Sequence, residues 1–266
     1  MDRYRNNNRA PQPALREGDE LIEGRNPVQE ALRAGRPIHK LFVLRGGGGS
    51  LSPIVSQARS AGAVIVESDR RALDAMSSTG AHQGVIAMCA AHEFSSVEEI
   101  MDRVAESGRP ALLVLCDGIQ DPHNLGAIIR SAETAGAQGV IIGKHRSAGL
   151  TAACAKSAAG ALEHVPVARV ANLTNTIDEL KKQGIWVYGA AGEGSSLASR
   201  TDLTGPAALV IGSEGFGLSR LVAEHCDALI RIPMLGKLNS LNASAAAAVL
   251  LFEAVRQRLD KTEGRN

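Results

Sequence analysis

Apolar positions along this chain come in short dense bursts, separated by stretches in which they recur at helical spacing. From residue 20 to 90 the bursts are Lys40-Leu41-Phe42-Val43-Leu44, Ala63-Val64-Ile65-Val66 and Gly84-Val85-Ile86-Ala87-Met88. Bursts of this length, rich in branched side chains, predict strands. The stretches between them predict helices over about 26–34, 51–61 and 70–77, with Asn26 as a cap and Pro27 at the first helical position. Strands alternating with helices over this span predict a small α/β unit. The run Gly46-Gly47-Gly48-Gly49-Ser50 lacks the Gly-Lys-Ser/Thr ending of a phosphate-binding P-loop, so it reads as a loop.

Residues 92–109 are charged and read as a linker containing a helix, in which Ser96 and Glu99 have capping-box spacing. After Pro110 the alternation restarts with more apolar strands, at 111–116, 139–142, 164–170, 185–189, 207–211 and 229–232. Helices are expected at about 123–135, 152–160, 173–183, 217–225 and 240–259. Six short, continuously apolar strands with helices between them predict a parallel-rich sheet covered on both faces. In such sheets ligands bind beyond the carboxyl ends of the strands. The expected organisation is a disordered polar tail (1–18), a small α/β domain (19–91), the linker and a larger α/β domain (110–266).

Composition narrows the function. The 266 residues are 44 % hydrophobic and 21 % charged, with a formal net charge of +1, so no global basic field announces a polyanion partner. Seven aromatic residues are too few for base-stacking platforms. They leave open recognition through Arg, Lys, Asn and backbone amides. Cys89, Cys116, Cys154 and Cys226 have no metal-site spacing and read as buried free thiols, which fits a reducing cytoplasm. The first residues carry no apolar h-region, so no signal peptide is expected, and no apolar run reaches the ~20 residues that span a bilayer.

Three polar clusters stand at three strand ends. The first, Asp117-Gly118-Ile119-Gln120-Asp121-Pro122-His123-Asn124-Leu125-Gly126-Ala127-Ile128-Ile129-Arg130, opens a helix. Asp121 or Asn124 can cap it. Capping does not explain Arg130, which sits on the border of a buried face either as a salt-bridged surface residue or as a working one. The second, Gly212-Ser213-Glu214-Gly215-Phe216-Gly217, sets one carboxylate among glycines that permit close backbone approach. Its order differs from the dinucleotide fingerprint G-x-G-x-x-G, which argues against a nicotinamide enzyme. The third, Leu235-Gly236-Lys237-Leu238-Asn239-Ser240-Leu241-Asn242-Ala243-Ser244, precedes an Ala-rich helix. Ser240 or Asn242 would suffice as its cap. The small residues 243–248 are good helix formers, and they would also suit a dimer contact.

Together the stretches DGIQDPHNLGAIIRSAETAG, LVIGSEGFGL and IPMLGKLNSLNASAAAA resemble the three signature motifs of the SpoU/TrmH family of RNA ribose 2′-O-methyltransferases, in the SPOUT superfamily. The segments EGRNPVQEAL and His82-Gln83-Gly84-Val85 resemble the substrate-binding domain of its RlmB-like branch. The resemblance implies a trefoil knot near the C-terminus, S-adenosyl-L-methionine held in it, and a homodimer with active sites at the interface. It implies functional roles for Asn124, Arg130, Glu214, Ser240 and Asn242, with Gly212, Ile232 and Leu241 at positions whose backbone contacts the cofactor. The implied substrate is a guanosine of 23S rRNA, in the P-site loop. A tRNA ribose methyltransferase and a non-catalytic RNA-binding assembly factor are the competing readings. DNA, lacking the 2′-hydroxyl, would not be methylated.

Overall fold

The computed structural model describes residues 19–264, apart from Ser78 and Ala91. The predicted tail at 1–18 lies outside the described residues. The chain divides at His92–Glu93 into two compact units, each with its own core.

The first unit runs β1 (Asp19–Glu23), α1 (Arg25–Arg33), β2 (Ile38–Leu44), α2 (Ser52–Ser60), β3 (Val64–Ser68), α3 (Arg70–Met76) and β4 (Val85–Ala90). Its sheet has the order β1-β4-β2-β3. β4 is antiparallel to both neighbours, and β3 is parallel to β2. The strand β1 is not among the apolar bursts, because Asp-Glu-Leu-Ile-Glu carries three acids in five residues. The fold absorbs two of them: Glu20 Oε2 accepts from Arg36 Nη2 at 2.9 Å, and Glu23 Oε2 accepts from Thr79 Oγ1 at 2.7 Å. Asn26 is not the cap of α1. The helix starts two residues earlier, behind Gly24, whose φ of 96° is open to glycine at little cost. The Arg25 N–H is taken by Gln83 Oε1 at 3.1 Å, and Gly24 N–H by Val85 O at 3.2 Å. The two segments EGRN and HQGV are therefore fastened to one another.

The second unit continues with α4 (Val97–Ser107), β5 (Leu112–Asp117), α5 (Pro122–Thr134), β6 (Gly139–Gly143), α6 (Ala152–Ala158), β7 (Val167–Val170), α7 (Leu173–Lys182), β8 (Trp186–Ala190), β9 (Ser196–Leu197), β10 (Ala207–Gly212), α8 (Arg220–His225), β11 (Ala228–Arg231) and α9 (Ala243–Thr262). The seven strands lie in the order β7-β6-β5-β10-β8-β11-β9, and every pairing is parallel. Alternate residues of β5 feed different layers, as strand geometry requires. Leu112, Val114 and Cys116 pack with Ile128 and Ile129 of α5 and Leu250 and Leu251 of α9. Leu113 and Leu115 pack with Ile100 of α4, Ile177 and Leu180 of α7 and Val222 of α8. The capping box that opens α4 is formed in both directions, Glu99 N to Ser96 Oγ at 3.1 Å and Ser96 N to Glu99 Oε2 at 2.8 Å.

The chain builds outward from β5 through β6 to β7, then crosses to the other half for β8 and inserts β10 between β8 and β5. The direction of winding thus reverses between β5 and β10. Their carboxyl ends lie in register, Gly212 against Asp117. A reversal of this kind leaves a crevice at the strand ends.

Candidate active site

Three chain segments converge on that crevice. At the end of β5, Asp121 caps α5 by accepting His123 N–H at 2.9 Å. Asn124 is thereby left in the first turn with its amide free for other work. At the end of β10, Ser213 and Gly217 form an antiparallel bridge that closes a tight loop carrying Glu214. Gly212 must be glycine there, since a Cβ would meet the backbone of Gly217 and lie 2.5 Å from Leu218 N. Asp117 Oδ2 accepts Ser219 N–H at 2.6 Å and holds the far side of the loop. After β11, residues 232–241 run without helix or strand until Asn242 caps α9.

The Asn242 side chain works at both ends. Its Oδ1 accepts Ser244 N–H at 3.0 Å and Ala245 N–H at 3.2 Å, satisfying two orphan donors of the helix start. With the oxygen so used, Nδ2 faces outward and donates to Asn124 Oδ1 at 2.9 Å and to Glu214 Oε1. Asn124 Nδ2 in turn donates to Glu214 Oε1 at 2.9 Å, and Ala243 N–H reaches the same oxygen at 3.4 Å. Two amides and one carboxylate thus tie together elements nearly 120 residues apart in sequence. Ser240 takes no part in the capping.

A cavity of about 360 Å³ opens beside this cluster. Ile211, Ile230 and Leu250 give it apolar walls, and the expected residues Gly212, Glu214, Ile232, Ser240 and Leu241 all line it. A smaller space of about 230 Å³ lies on the Asn124 side, bounded by Gly118, Gln120, Asp121 and Glu214, with Phe216 bordering both. Arg130 is not gathered in. It is exposed, and its side chain makes no hydrogen bond or ion pair among the described residues.

Sequence reasoning assigned nothing to Asp117, Phe216 or the 190–194 loop, whose Gly192 and Glu193 line the larger cavity. The signal for that loop was the Ala-Ala-Gly-Glu-Gly run directly after a strand. Nearby Cys116 is buried, and burial pushes its thiol up to about 12, with Cys154 and Asp117 adding to the shift. It supplies no thiolate to the crevice at neutral pH.

Comparison with known proteins agrees with this geometry. Residues 111–252 match the SpoU rRNA Methylase family model, and residues 21–95 match the model for RNA 2′-O ribose methyltransferase substrate binding. The protein YacO of Bacillus subtilis, named for the TrmH family of tRNA/rRNA methyltransferases, is 42% identical over 240 residues, spanning 90% of this chain and 96% of its own. A TrmH-family relative from Staphylococcus aureus is 41% identical over 246 residues, 92% of this chain and 99% of its own. Among solved structures, the SpoU methyltransferase AviRb of Streptomyces viridochromogenes, in complex with AdoMet, superposes with a TM-score of 0.77 at 30% identity over 91% of each chain. An AdoMet-bound rRNA methyltransferase from Sinorhizobium meliloti does so with 0.75 at 26% identity, over 90% of this chain and 88% of that one. A chain whose sequence and fold match along nine-tenths of its length is a member of the SpoU/TrmH family of RNA methyltransferases.

Proposed function

We propose that this protein transfers a methyl group from S-adenosyl-L-methionine to a ribose 2′-hydroxyl of RNA, and that the target is a guanosine of 23S rRNA. The observation that carries the reading is the Asn124–Glu214–Asn242 cluster at the mouth of an apolar cavity. The cavity suits the cofactor on its own terms. Its volume and its Ile and Leu walls fit a nucleoside. Gly212, Ile232 and Leu241 would hold it through main-chain groups, and Ser240 stands beside them. Bound there, the sulfonium supplies a methyl already activated for transfer.

The work left to this chain is to present and activate a hydroxyl, which is a very weak acid. Holding two reactants in line contributes roughly 7–11 kcal/mol in favourable cases. Asn124 and Asn242 fix the Glu214 carboxylate, and these three positions fix the ribose relative to the cavity. Arg130 orients the hydroxyl and contacts the target phosphate. Guanidinium groups stay protonated in proteins, so its part is electrostatic unless a phosphate assists it as a base.

The reading includes the trefoil knot expected of the family, in the segment between Gly212 and Asn242, whose two ends meet at Glu214. It includes a homodimer as well. On α9, Val249, Phe252 and Leu259 lie 45–56 % exposed along one side of the helix. The unit matching the substrate-binding model favours a large folded rRNA over tRNA. Four free thiols, three of them buried, suit a reducing cytoplasm.

The test is incubation with tritiated S-adenosylmethionine and RNA from cells lacking the protein, with the label mapped by primer extension at low nucleotide concentration. One 2′-O-methylated guanosine in large-subunit rRNA is expected. Label confined to tRNA would retain the chemistry and refute the substrate. An unlabelled RNA pool together with no binding of S-adenosylmethionine would refute the functional reading.

A further inference from the structure

The crevice is asymmetric. Its cavity lies on one side of the Asn124–Glu214–Asn242 cluster, under the ends of β8, β10 and β11. On the other side of β5 lies β6, and its carboxyl end runs into Lys144-His145-Arg146-Ser147, of which the first three are exposed. None of these three pairs with a carboxylate among the described residues. The loop is pinned at both ends. Lys144 N–H donates to Val170 O at 2.7 Å, and Ala148 N–H donates to Ile119 O at 2.7 Å, inside the first motif. Between the pins, Arg146 has a φ of 55°, a left-handed conformation that L side chains seldom take. The Ser147 hydroxyl is shielded from water and has no hydrogen-bond partner. The loop is thus held in an uncommon shape, and its Ala148 end is tied to Ile119, which lines the space on the Asn124 side of the crevice. Asp121, the carboxylate of the adjoining loop, is engaged in capping α5.

Resting on the methyl-transfer reading, we propose that Lys144 and Arg146 bind the phosphates of the RNA strand flanking the target ribose. A ribose seated at the cluster has the cofactor cavity on one hand. The strand entering and leaving it must run over the other, across the ends of β5 and β6. Phosphate contacts of this kind set register and affinity without reading sequence.

The test measures binding of labelled rRNA-fragment and tRNA transcripts from 50 to 300 mM KCl, by wild type and by a Lys144→Ala, Arg146→Gly double variant. Glycine at 146 tolerates the left-handed backbone and removes the charged side chain. Two lost phosphate contacts should weaken binding by about tenfold at low salt and flatten the log–log salt slope by about 1.4. Affinity for S-adenosylmethionine and the thermal midpoint should stay as in wild type. A Lys144→Arg, Arg146→Lys variant should retain most of the RNA affinity. Unchanged RNA affinity and slope in the double variant would overturn the proposal, as would loss of cofactor binding, which would make the loop structural. A wild-type protein that binds neither RNA would sink the functional reading itself, and this inference with it.

Discussion

At the scale of single residues, Asn242 does two jobs with one amide, and the jobs can be separated. Asn242→Asp keeps an oxygen for the helix cap and sets a second carboxylate against Glu214 in place of a donor. Methyl transfer should fall by at least a hundredfold while the thermal midpoint barely moves. Asn242→Ala removes the cap too and should cost about 1 kcal/mol of stability on top. Calorimetry alongside methyl incorporation reads both, and equal losses of stability in the two variants would contradict the division of roles. Gly212→Ala tests a position where space alone dictates the residue: a methyl meets the Gly217 backbone, so the loop must shift by overpacking worth about 1–3 kcal/mol. Affinity for S-adenosylmethionine should fall with it. The thiols make a contrasting case. Burial pushes Cys116 and Cys226 up to about 12, so at pH 8 both stay protonated thiols. Both should resist Ellman's reagent in the native protein and react once it is unfolded; prompt native labelling of Cys116 would contradict its burial.

At the scale of elements, the strands were legible because a parallel strand buried on both faces has no polar positions to confuse its period. The runs at 112–117, 139–143 and 207–212 sit within one residue of their predicted ends. What the pattern hid was polar or short. The strand β1 reads as acidic loop until Arg36 and Thr79 are brought to it, and β9 has only two residues. The expected helix at 217–225 begins at Arg220, because Gly217 is spent on the Glu214 turn and the Ser219 N–H on Asp117. Candidate caps were also legible, but the choice between them was not. Asp121 caps α5 and leaves Asn124 to Glu214, whereas Asn242 caps α9 and serves the cluster with the same amide. Arg258 shows a long-range role with no local signature. Its guanidinium donates to the carbonyls of Leu203, Pro110, Ala111 and Gly205 at 2.7–3.2 Å, fastening α9 to the starts of β5 and β10. Arg258→Ala strands those carbonyls and should cost about 2–3 kcal/mol. That is a drop of some 5–10 °C in the unfolding midpoint of the second unit. Arg258→Lys, a point charge in place of a planar fork, should recover only part of it.

At the scale of the whole molecule, one fact about Arg130 stands apart from the rest of the site. The three side chains of the cluster find one another within a single chain, yet Arg130, in the same motif as Asn124, is exposed and unpaired among the described residues. Helix α9 meanwhile carries Val249, Phe252 and Leu259 into solvent. Both observations are accounted for if two copies pair and Arg130 serves the cavity of its partner. Light scattering should then give twice the chain mass, and Val249→Glu with Phe252→Glu should give a folded monomer that still binds S-adenosylmethionine and transfers no methyl. A mixing experiment tests the crossed arrangement directly. Arg130→Ala and Glu214→Ala proteins should each be inactive alone. Unfolded together and refolded at equal amounts, half the dimers are mixed, and each mixed dimer joins one intact Glu214 to one intact Arg130 across the interface. About a quarter of wild-type activity should return, the value that random two-fold pairing gives. If Arg130 serves its own chain, every site in every mixed dimer still lacks one group, and no activity returns.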